Sequence, residues 1–263
     1  MIGSGTLKGF TAIALQGFPL ITPGANIAKI IVETASNNQV QIENGDVLAI
    51  AQKIFSKAEN RIVKLENVVA SNDAEKIASI TGKSPEFVEL VLRETENVLI
   101  ASPKILLVED KRGLVVINAG IDNSNVKGVD HFTLLPKDPD RSAENCRLGV
   151  KKITGKDVAV IICDTYSRPF RRGQVNFAIG ISGVKPFHDY RGKRDLFGYV
   201  LKVKNVAVVD EIAAAAEILM GQSKEATPVV IFKGLTDLVE FADNHKITEI
   251  RISSDEDLFK GSF

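Results

Sequence analysis

Short apolar runs alternate along the chain with longer stretches in which apolar residues recur every three or four positions. Such runs are typical of buried strands, and such periodicity is typical of helices that bury one face. The predicted strands span residues 6–15, 46–52, 105–109, 114–117, 158–163 and 228–232. The predicted helices span residues 26–33, 72–80, 85–93, 140–152 and 210–220. Because hairpin turns join some neighbouring strands, this order predicts an α+β fold, with mixed sheets and flanking helices, rather than a doubly wound sheet.

Turn and capping residues set several of these boundaries. Ser84 and Pro85 are favourable residues at the start of a helix, and Gly221 is a favourable residue after the end of one. Residues 110–113 (DKRG) separate two apolar runs and predict a hairpin. We interpret 1–235 as one domain that can comprise two lobes. Residues 236–263 are a charged C-terminal tail and a candidate for a last helix.

Two near-motifs for nucleotide binding can be set aside. Gly82-Lys83-Ser84 resembles the end of a phosphate-binding loop, but Ile77 stands where the first glycine of that loop belongs. The segment lies between two predicted helices, so we interpret it as a linker and a helix cap. Gly3-x-Gly5 lies too close to the terminus to follow a strand, which excludes a dinucleotide fingerprint. Any nucleotide site must therefore use other loops.

Composition narrows the classes of function. The 33 basic and 33 acidic residues balance, so no overall field favours nucleic acid, and anion binding must be local. The two cysteines cannot form a disulfide framework. Cys163 lies in an apolar run and is predicted to be a buried free thiol, which fits the reducing cytoplasm. The N-terminus lacks the features of a signal peptide, and no apolar segment approaches the length of a membrane span. We therefore expect a cytoplasmic protein that binds no membrane.

The segment that follows the apolar run 158–163 carries the densest candidate chemistry. The run ends in Asp164-Thr165, and Arg168, Arg171 and Arg172 come next, before a second apolar run. A carboxylate at the end of a buried strand needs a compensating partner. Asp122 follows another apolar strand, and two such acids can converge on one divalent cation through oxygen ligands. The alternatives are turn chemistry for Asp122, and surface charge or ion pairs with acids such as Asp138 and Asp140 for the arginines.

Further basic groups could bind anions. Tyr190-Arg191-Gly192-Lys193-Arg194 lies in a long polar loop over residues 186–198, and loops of this kind are often functional. Lys53 and Lys57 follow the strand 46–52 and could contact phosphates as point charges; otherwise they form an exposed helical turn. Of the three histidines, only His188 lies near other candidate site residues, because it adjoins Asp189 and the basic residues 190–194. No pattern indicates a nucleophile, so the residues favour metal-assisted electrostatic catalysis.

Seven blocks of sequence occur in one order along most of the chain. They are GFPLITPGANIAKII (17–31), GDVLAIAQKIFSKAENRIV (45–63), NAGIDNSN (118–125), LLPKDPDRSA (134–143), CDTYSRPFRRGQVNFAIGISG (163–183), DYRGKRDLFG (189–198) and VVDEIAAAAEILMGQ (208–222). Together they resemble the coenzyme F-420-0:L-glutamate ligase family. The resemblance implies a family-specific fold, an intertwined homodimer, GTP as co-substrate and two divalent cations, Mn or Mg. It leaves open a monovalent cation as a further cofactor.

The resemblance also implies a reaction and the residues that carry it. The γ-phosphoryl group of GTP would pass to the terminal carboxylate of F-420-0, and the amine of L-glutamate would attack the acyl phosphate, giving a γ-linked amide, GDP and phosphate. By position, Asp122 and Asp164 are the implied catalytic residues and hold one cation, and Thr165 and Gln222 hold a second. The implied nucleotide contacts are Phe18, Pro19, Leu20, Ile21, Gln52, Lys53, Lys57, Asn125, Met220, Gly221, Gln222, Ser223, Lys224, Glu225, Ala226 and Thr227.

The acceptor substrate is the least determined part. Arg168, Arg171, Arg191 and Arg194 are our own candidates for binding the coenzyme phosphodiester or the glutamate carboxylates. Ser167, Arg172 and Asn176 depart from residues common in the family, and Gln52-Lys53 replaces a pair that bears a hydroxyl group in some relatives. The proposed cation ligands are intact. Two alternatives stay open: a ligase for another phosphorylated carboxylic acid, and a nucleotide-binding regulatory or scaffold protein that lacks catalysis.

Overall fold

The computed structural model describes residues 9–252 and residue 256, so Gly3-x-Gly5 and residues 6–8 of the first predicted strand lie outside the described residues. The helices are α1 (Ile27–Asn37), α2 (Gln52–Ala58), α3 (Asn72–Thr81), α4 (Pro85–Glu94), α5 (Pro139–Thr154) and α6 (Val208–Met220). The strands are β1 (Thr11–Ala14), β2 (Val47–Ala51), β3 (Ile62–Lys64), β4 (Thr95–Ser102), β5 (Ile105–Asp110), β6 (Val115–Ile117), β7 (His131–Thr133), β8 (Ala159–Ser167), β9 (Gln174–Ser182), β10 (His188–Asp189), β11 (Asn205–Val206) and β12 (Val229–Lys233). The predicted α+β fold with mixed sheets is confirmed.

Capping residues place the helices where the sequence predicts them. The Ser84 hydroxyl accepts a hydrogen bond from Phe87 N (3.3 Å) at the start of α4, and Gly82 ends α3 in the left-handed conformation (φ +70°). The interpretation of 82–84 as a linker and cap is therefore confirmed. Among the described residues, no helix is both long and apolar enough to cross a membrane.

The chain divides into two compact units. Unit 1 contains residues 9–20, 26–51 and 139–251, and unit 2 contains residues 21–25, 52–138, 252 and 256. The sheet of unit 1 has the strand order β1-β12-β2-β8-β9, in which β2 and β8 are parallel and every other pair is antiparallel. The parallel pair joins segments that are more than a hundred residues apart, which the local pattern of the sequence does not reveal.

The central strands of the sheet of unit 1 are buried on both faces, as expected of a sheet with helices on each side. On one face α6 packs Ile212 and Ala216 into a cluster that includes Ile161 and Cys163 of β8. The alternate residues of β8 are equally inaccessible. Helix α5 contacts β8 and β9 but contributes nothing to the α6 cluster, so it covers the opposite face. Cys163 is a buried free thiol, as predicted.

The apolar run 158–163 does not end its strand, which corrects the sequence prediction. Strand β8 continues through Asp164 and Thr165 to Ser167. It pairs with β9 along this whole extension, so Asp164 lies opposite Phe177 and Thr165 opposite Asn176. The backbone of these polar residues is hydrogen-bonded across a hairpin, and a strand held in this way needs no apolar side chains. Asp164 is therefore a mid-strand residue.

The long loop and the tail also differ from their predictions. The segment after β9 is not wholly irregular, because His188–Asp189 pairs with Asn205–Val206 and a bridge joins Arg194 to Val200. In the described part of the tail the structure shows only 3-10 turns, at Thr236–Leu238 and Ile247–Ile250, where we predicted a last helix. Ile247 is nevertheless buried in the core of unit 1. This part of the tail is thus packed on the unit rather than separate from it.

Unit 2 is built from α2, α3 and α4, a three-stranded antiparallel sheet (β4-β5-β6) and a two-stranded sheet (β3-β7). The predicted hairpin at 110–113 joins β5 to β6, with Gly113 in the left-handed region (φ +77°). The core contains Val88 and Val91 of α4 and Leu106 and Val108 of β5.

A largely buried ion-pair network ties α4 to its neighbours in unit 2. Glu94 Oε2 accepts hydrogen bonds from Arg61 Nη2 (2.6 Å) and Arg112 Nη1 (2.8 Å), and Arg112 Nε donates to Asp110 Oδ2 (2.7 Å). Burial raises the pKa of Glu94. The two guanidinium groups together lower it by more than burial raises it, so the pKa lies below its usual value. Glu94 is therefore ionised at neutral pH and joins the two arginines.

We expect Glu94→Gln to lower the free energy of unfolding by about 3 kcal/mol at neutral pH, because two buried guanidinium groups lose their shared counter-ion. The folded-state pKa of Glu94 is lowered, so its contribution is complete above the unfolded value of about 4.3 and is lost as the pH falls through the folded value. Urea unfolding at about pH 7 and about pH 3 checks this. The exposed Glu75→Gln is the control. An equal deficit for Glu94→Gln at both pH values would contradict the prediction.

Candidate active site

A strained turn holds Asp122 in unit 2. After β6 the residues Asn118, Ala119 and Gly120 have φ values of 54°, 53° and 69°, in the left-handed region. A side chain on Gly120 would lie 2.8 Å from Leu135 Cδ1, so glycine is required for space as well as conformation. The turn brings the backbone of Asp122 against Thr133 of β7, where its carbonyl accepts hydrogen bonds from Thr133 N (2.8 Å) and Oγ1 (3.0 Å). The position of Asp122 is thus fixed by tertiary pairing.

The carboxylate of Asp122 is surrounded by donors. Lys53 Nζ lies 2.6 Å from Oδ2, and Ser124 N donates to Oδ1 (2.9 Å). The Ser124 hydroxyl also donates to Oδ2. Burial raises the pKa of Asp122, but the bonds from Lys53 and Ser124 outweigh it and lower the pKa below its usual value. Asp122 is therefore ionised at neutral pH, and its two oxygens are held in fixed positions.

Helix α2 presents two lysines to the same loop. Lys53 also donates to Ser124 O (2.8 Å), and Lys57, one turn later, donates to Asn125 O (2.7 Å). Burial and the nearby charge of Lys53 lower the pKa of Lys57. Gln52 is buried, and its Oε1 accepts from the Ser56 hydroxyl (2.7 Å). Lys53, Lys57 and Asn125, three of the predicted nucleotide contacts, thus lie around the loop that carries Asp122. The positive charges of the two lysines suit phosphate.

In unit 1 the β8–β9 hairpin sends Asp164 and Thr165 to opposite faces, because successive strand residues alternate. Asp164 shares its face with the ring pair of Tyr166 and Phe177, whose centroids lie 4.7 Å apart. Thr165 lies on the α6 face and is hydrogen-bonded to Asn176 directly across the hairpin. If Asp164 and Thr165 each bind a cation, as the resemblance implies, the two side chains approach those cations from different faces of one ribbon.

Three side-chain oxygens meet on the α6 face. Thr165 Oγ1 lies 3.1 Å from Asn176 Oδ1 and 3.2 Å from Gln222 Oε1. The amide orientation of Gln222 follows from its other end, where Nε2 donates to Glu217 Oε1 (2.6 Å). A threonine hydroxyl has one hydrogen and cannot donate to both amide oxygens. Hydroxyl and amide oxygens are among the ligands that hard cations accept, so a cation at this point could be bound by all three.

The segment after α6 forms a tight turn. Gly221 has φ 67° and ψ 178°, a region that is essentially restricted to glycine. Glu225 Oε2 accepts from Ser223 N (2.8 Å), and Thr227 Oγ1 donates to Met220 O (2.8 Å). The side chain of Met220 is buried while residues 222–226 are exposed. Of the predicted segment 220–227, then, the middle part can contact a ligand.

The predicted N-terminal nucleotide segment follows β1. Phe18 is half-buried, Pro19 is exposed and Leu20 is 90% exposed. The boundary between the two units falls between Leu20 and Ile21. Likewise, Asp122 lies in unit 2 whereas Asp164, Thr165 and Gln222 lie in unit 1.

Comparison with known proteins identifies the family. The model of the F420-0:Gamma-glutamyl ligase family matches residues 17–234. The chain belongs to this family of ligases. It is 45% identical over 246 residues to the coenzyme F420:L-glutamate ligase of Archaeoglobus fulgidus, which covers 94% of each chain. It is 42% identical over 258 residues to the enzyme of the same name from Methanopyrus kandleri, which covers 97% of this chain and all of the relative.

In this ligase-family chain the candidate arginines differ in availability. Arg191 is bound to Asp189 through a 2.6 Å contact from Nη2, and these bonds lower the pKa of Asp189 to about 2. Arg194 donates to Gly198 O (2.8 Å). Arg171 is exposed, and Arg168 Nε is buried without a hydrogen-bond partner among the described residues. Arg168 and Arg171 are therefore the better candidates for binding a substrate anion.

Sequence reasoning missed the carboxylates of α6. Glu217 accepts hydrogen bonds from Gln222 and from the backbone of Asn176, and Asp210 accepts one from Ala178 N (2.9 Å). Burial raises the pKa of Asp210, although the bond from Ala178 lowers it. The sequence did contain a signal for these acids. Asp210 and Glu217 are seven residues apart in an otherwise apolar helix, a spacing that places both side chains on one face.

Proposed function

We propose that this ligase-family chain uses GTP and divalent cations to join L-glutamate to the coenzyme F-420 precursor F-420-0. Family membership and the names of its relatives support the ligase chemistry and these substrates. The observation that carries the metal dependence is the set of three converging oxygens on Thr165, Asn176 and Gln222, which share one hydroxyl hydrogen.

We propose two cation positions, following the family resemblance. Asp122 and Asp164 would hold one Mn or Mg ion, and Thr165 and Gln222 would hold the other. Carboxylate, hydroxyl and amide oxygens are the donors that such hard cations prefer. The chemistry they supply when bound is neutralisation of phosphate charge. A monovalent cation is a further candidate cofactor.

The residues of the chain support the handling of two anions. Lys53 holds Asp122 ionised and oriented, and with Lys57 it offers positive charge to the nucleotide phosphates. The carboxylate of F-420-0 attacks the γ-phosphorus of GTP, giving an acyl phosphate and GDP. The glutamate amine then attacks the acyl carbon, loses a proton and expels phosphate, leaving the amide. Arg168 and Arg171, in the connection between β8 and β9, would bind a carboxylate or phosphodiester.

The assembly we propose is a homodimer in the cytoplasm. Leu196 and Phe197 are 97% and 96% exposed at the tip of the segment between β10 and β11, where a second copy would bury them. The buried free thiols Cys146 and Cys163 fit a reducing compartment. Light scattering should give a molar mass twice that of one chain. The double variant Leu196→Ser, Phe197→Ser should lower the measured mass toward that of a single chain. A wild-type protein of single-chain mass would contradict the dimer.

A turnover assay tests the reaction. The protein is incubated with GTP, Mn²⁺, L-glutamate and F-420-0, and products are analysed by mass spectrometry. We expect the mass of F-420-0 to increase by one glutamate residue, and only when both GTP and Mn²⁺ are present. Turnover with another phosphorylated carboxylic acid, but not F-420-0, would favour a different acceptor. Binding of GTP without turnover on any carboxylate would favour a non-catalytic relative.

A further inference from the structure

The carboxylate of Glu217 contacts two of the three residues that supply the oxygen set of Thr165, Asn176 and Gln222. It lies in the last turn of α6, three residues before the helix ends. Its Oε1 accepts from Gln222 Nε2 and its Oε2 accepts from Asn176 N, both at 2.6 Å. A negative charge at a helix C-terminus is opposed by the helix dipole. These two short bonds offset that cost and fix the carboxylate between β9 and the segment after α6.

The position of Glu217 determines which atom of Gln222 faces Thr165. Because Nε2 is bound to the carboxylate, the amide cannot rotate, and Oε1 is turned toward Thr165 Oγ1. The second bond holds the backbone of Asn176, which carries the third oxygen. One carboxylate thus orients two of the three oxygens.

Charge adds a second reason for the carboxylate. Thr165, Asn176 and Gln222 are all neutral, and a divalent cation bound by neutral oxygens alone has little compensating charge from the protein. Glu217 supplies a carboxylate in direct contact with this set. Carboxylates that hydrogen-bond to metal ligands orient them and strengthen binding, and their loss lowers metal affinity about 10- to 100-fold.

We infer that Glu217 is a positioning residue for the cation site of Thr165 and Gln222, with Asn176 as a third oxygen ligand. Glu217 does not touch the cation itself; it acts by orienting Gln222 and Asn176 and by placing a negative charge behind them. This inference rests on the proposed function, because it requires a cation at that site.

Calorimetric titration of Mn²⁺ into the full-length protein saturated with GDP tests the inference. Wild-type protein is expected to bind two Mn²⁺ per chain. In Glu217→Gln one of the two should bind about 10- to 100-fold more weakly, because a glutamine can accept only one of the two hydrogen bonds. In turnover the Mn²⁺ concentration for half-maximal rate should rise by a similar factor, whereas kcat at saturating Mn²⁺ should change less.

Asp210→Asn is the matched control. Asp210 lies on the same helix and accepts a backbone hydrogen bond from the same strand, at Ala178, but it does not contact the three oxygens. This variant should keep both Mn²⁺ affinities. If Asp210→Asn lowers the affinity for Mn²⁺ as much as Glu217→Gln does, the inference is overturned, because the effect would then follow from the packing of α6 on β9.

The remaining outcomes separate the two proposals. Two Mn²⁺ with unchanged affinity in a folded Glu217→Gln would overturn the role of Glu217 and leave the proposed function standing. A wild-type protein that binds no second Mn²⁺ would overturn the inference and the second cation position, whereas the turnover assay decides the proposed reaction separately. If Glu217→Gln does not fold, as judged by thermal unfolding, Glu217→Asp decides: its shorter side chain cannot reach both donors, so full Mn²⁺ affinity in this variant would also overturn the inference.

Discussion

Replacing Asp164 with asparagine should lower glutamate addition by at least about 100-fold while the protein stays folded. Asp164 is one of two carboxylates proposed for the first cation, and even residues that merely support a metal ligand carry effects of about 10- to 100-fold. The backbone at Asp164 is paired with Phe177 in the β8–β9 hairpin, and asparagine has the same size and keeps that pairing. The loss should therefore appear in the rate rather than in folding.

The measurement is the rate of glutamate addition at saturating GTP, together with the thermal unfolding temperature. Asp237→Asn makes the same chemical change at an exposed residue of unit 1 and should leave the rate unchanged. A rate for Asp164→Asn within a few-fold of the wild-type rate would remove Asp164 from the mechanism.

Replacing Gly221 with alanine should weaken GTP binding at least about 10-fold. The backbone of Gly221 lies in a region that other residues reach only with a strain of about 1–3 kcal/mol. Alanine is expected to relieve that strain by changing the turn, so binding must restore the strained turn. A cost of about 1.4 kcal/mol then corresponds to a factor of ten in affinity. The new side chain would also lie 2.4 Å from Glu225 Cδ. Moving Glu225 away would break its bond to Ser223 N and open the exposed turn that we propose contacts the nucleotide.

Gly155→Ala provides the comparison for Gly221→Ala. Gly155 also follows a helix and has a positive φ of 72°, but an added side chain there would meet no atom within 4 Å. Both variants should lose some stability, whereas only Gly221→Ala should lose affinity for a fluorescent GTP analogue. Equal GTP affinities in the two variants would separate the turn at 221 from nucleotide binding.

Periodicity and capping residues were sufficient to predict much of the fold. The helices from α3 to α6 and the hairpin of β5 with β6 follow from local sequence. Strand β4 (TENVLIAS) was not predicted, because its exposed and polar residues form a strand through pairing with β5, including two register shifts. Strands β3 and β7 are three residues long and pair across a large sequence separation, so neither has a pattern of its own.

The candidate site was predictable as a set of residue types but not as contacts. Asp122 and Thr165 were found from their positions after apolar runs and from the family resemblance. The bond between Lys53 and Asp122 spans 69 residues, and the left-handed turn at 118–120 that positions Asp122 has little local signature. Glu217 was missed because its partners lie on another strand and beyond the helix end, and only tertiary structure brings them together.

Isotope transfer tests the proposed reaction most directly. F-420-0 carrying ¹⁸O in its terminal carboxylate is incubated with the protein, GTP, Mn²⁺ and L-glutamate, and the released phosphate is analysed by mass spectrometry. If the carboxylate attacks the γ-phosphorus of GTP and the amine then displaces phosphate, each amide formed leaves one carboxylate oxygen in the phosphate. We therefore expect one ¹⁸O in phosphate for each molecule of F-420-0 that receives its first glutamate. Glutamate addition with unlabelled phosphate would contradict an acyl-phosphate route.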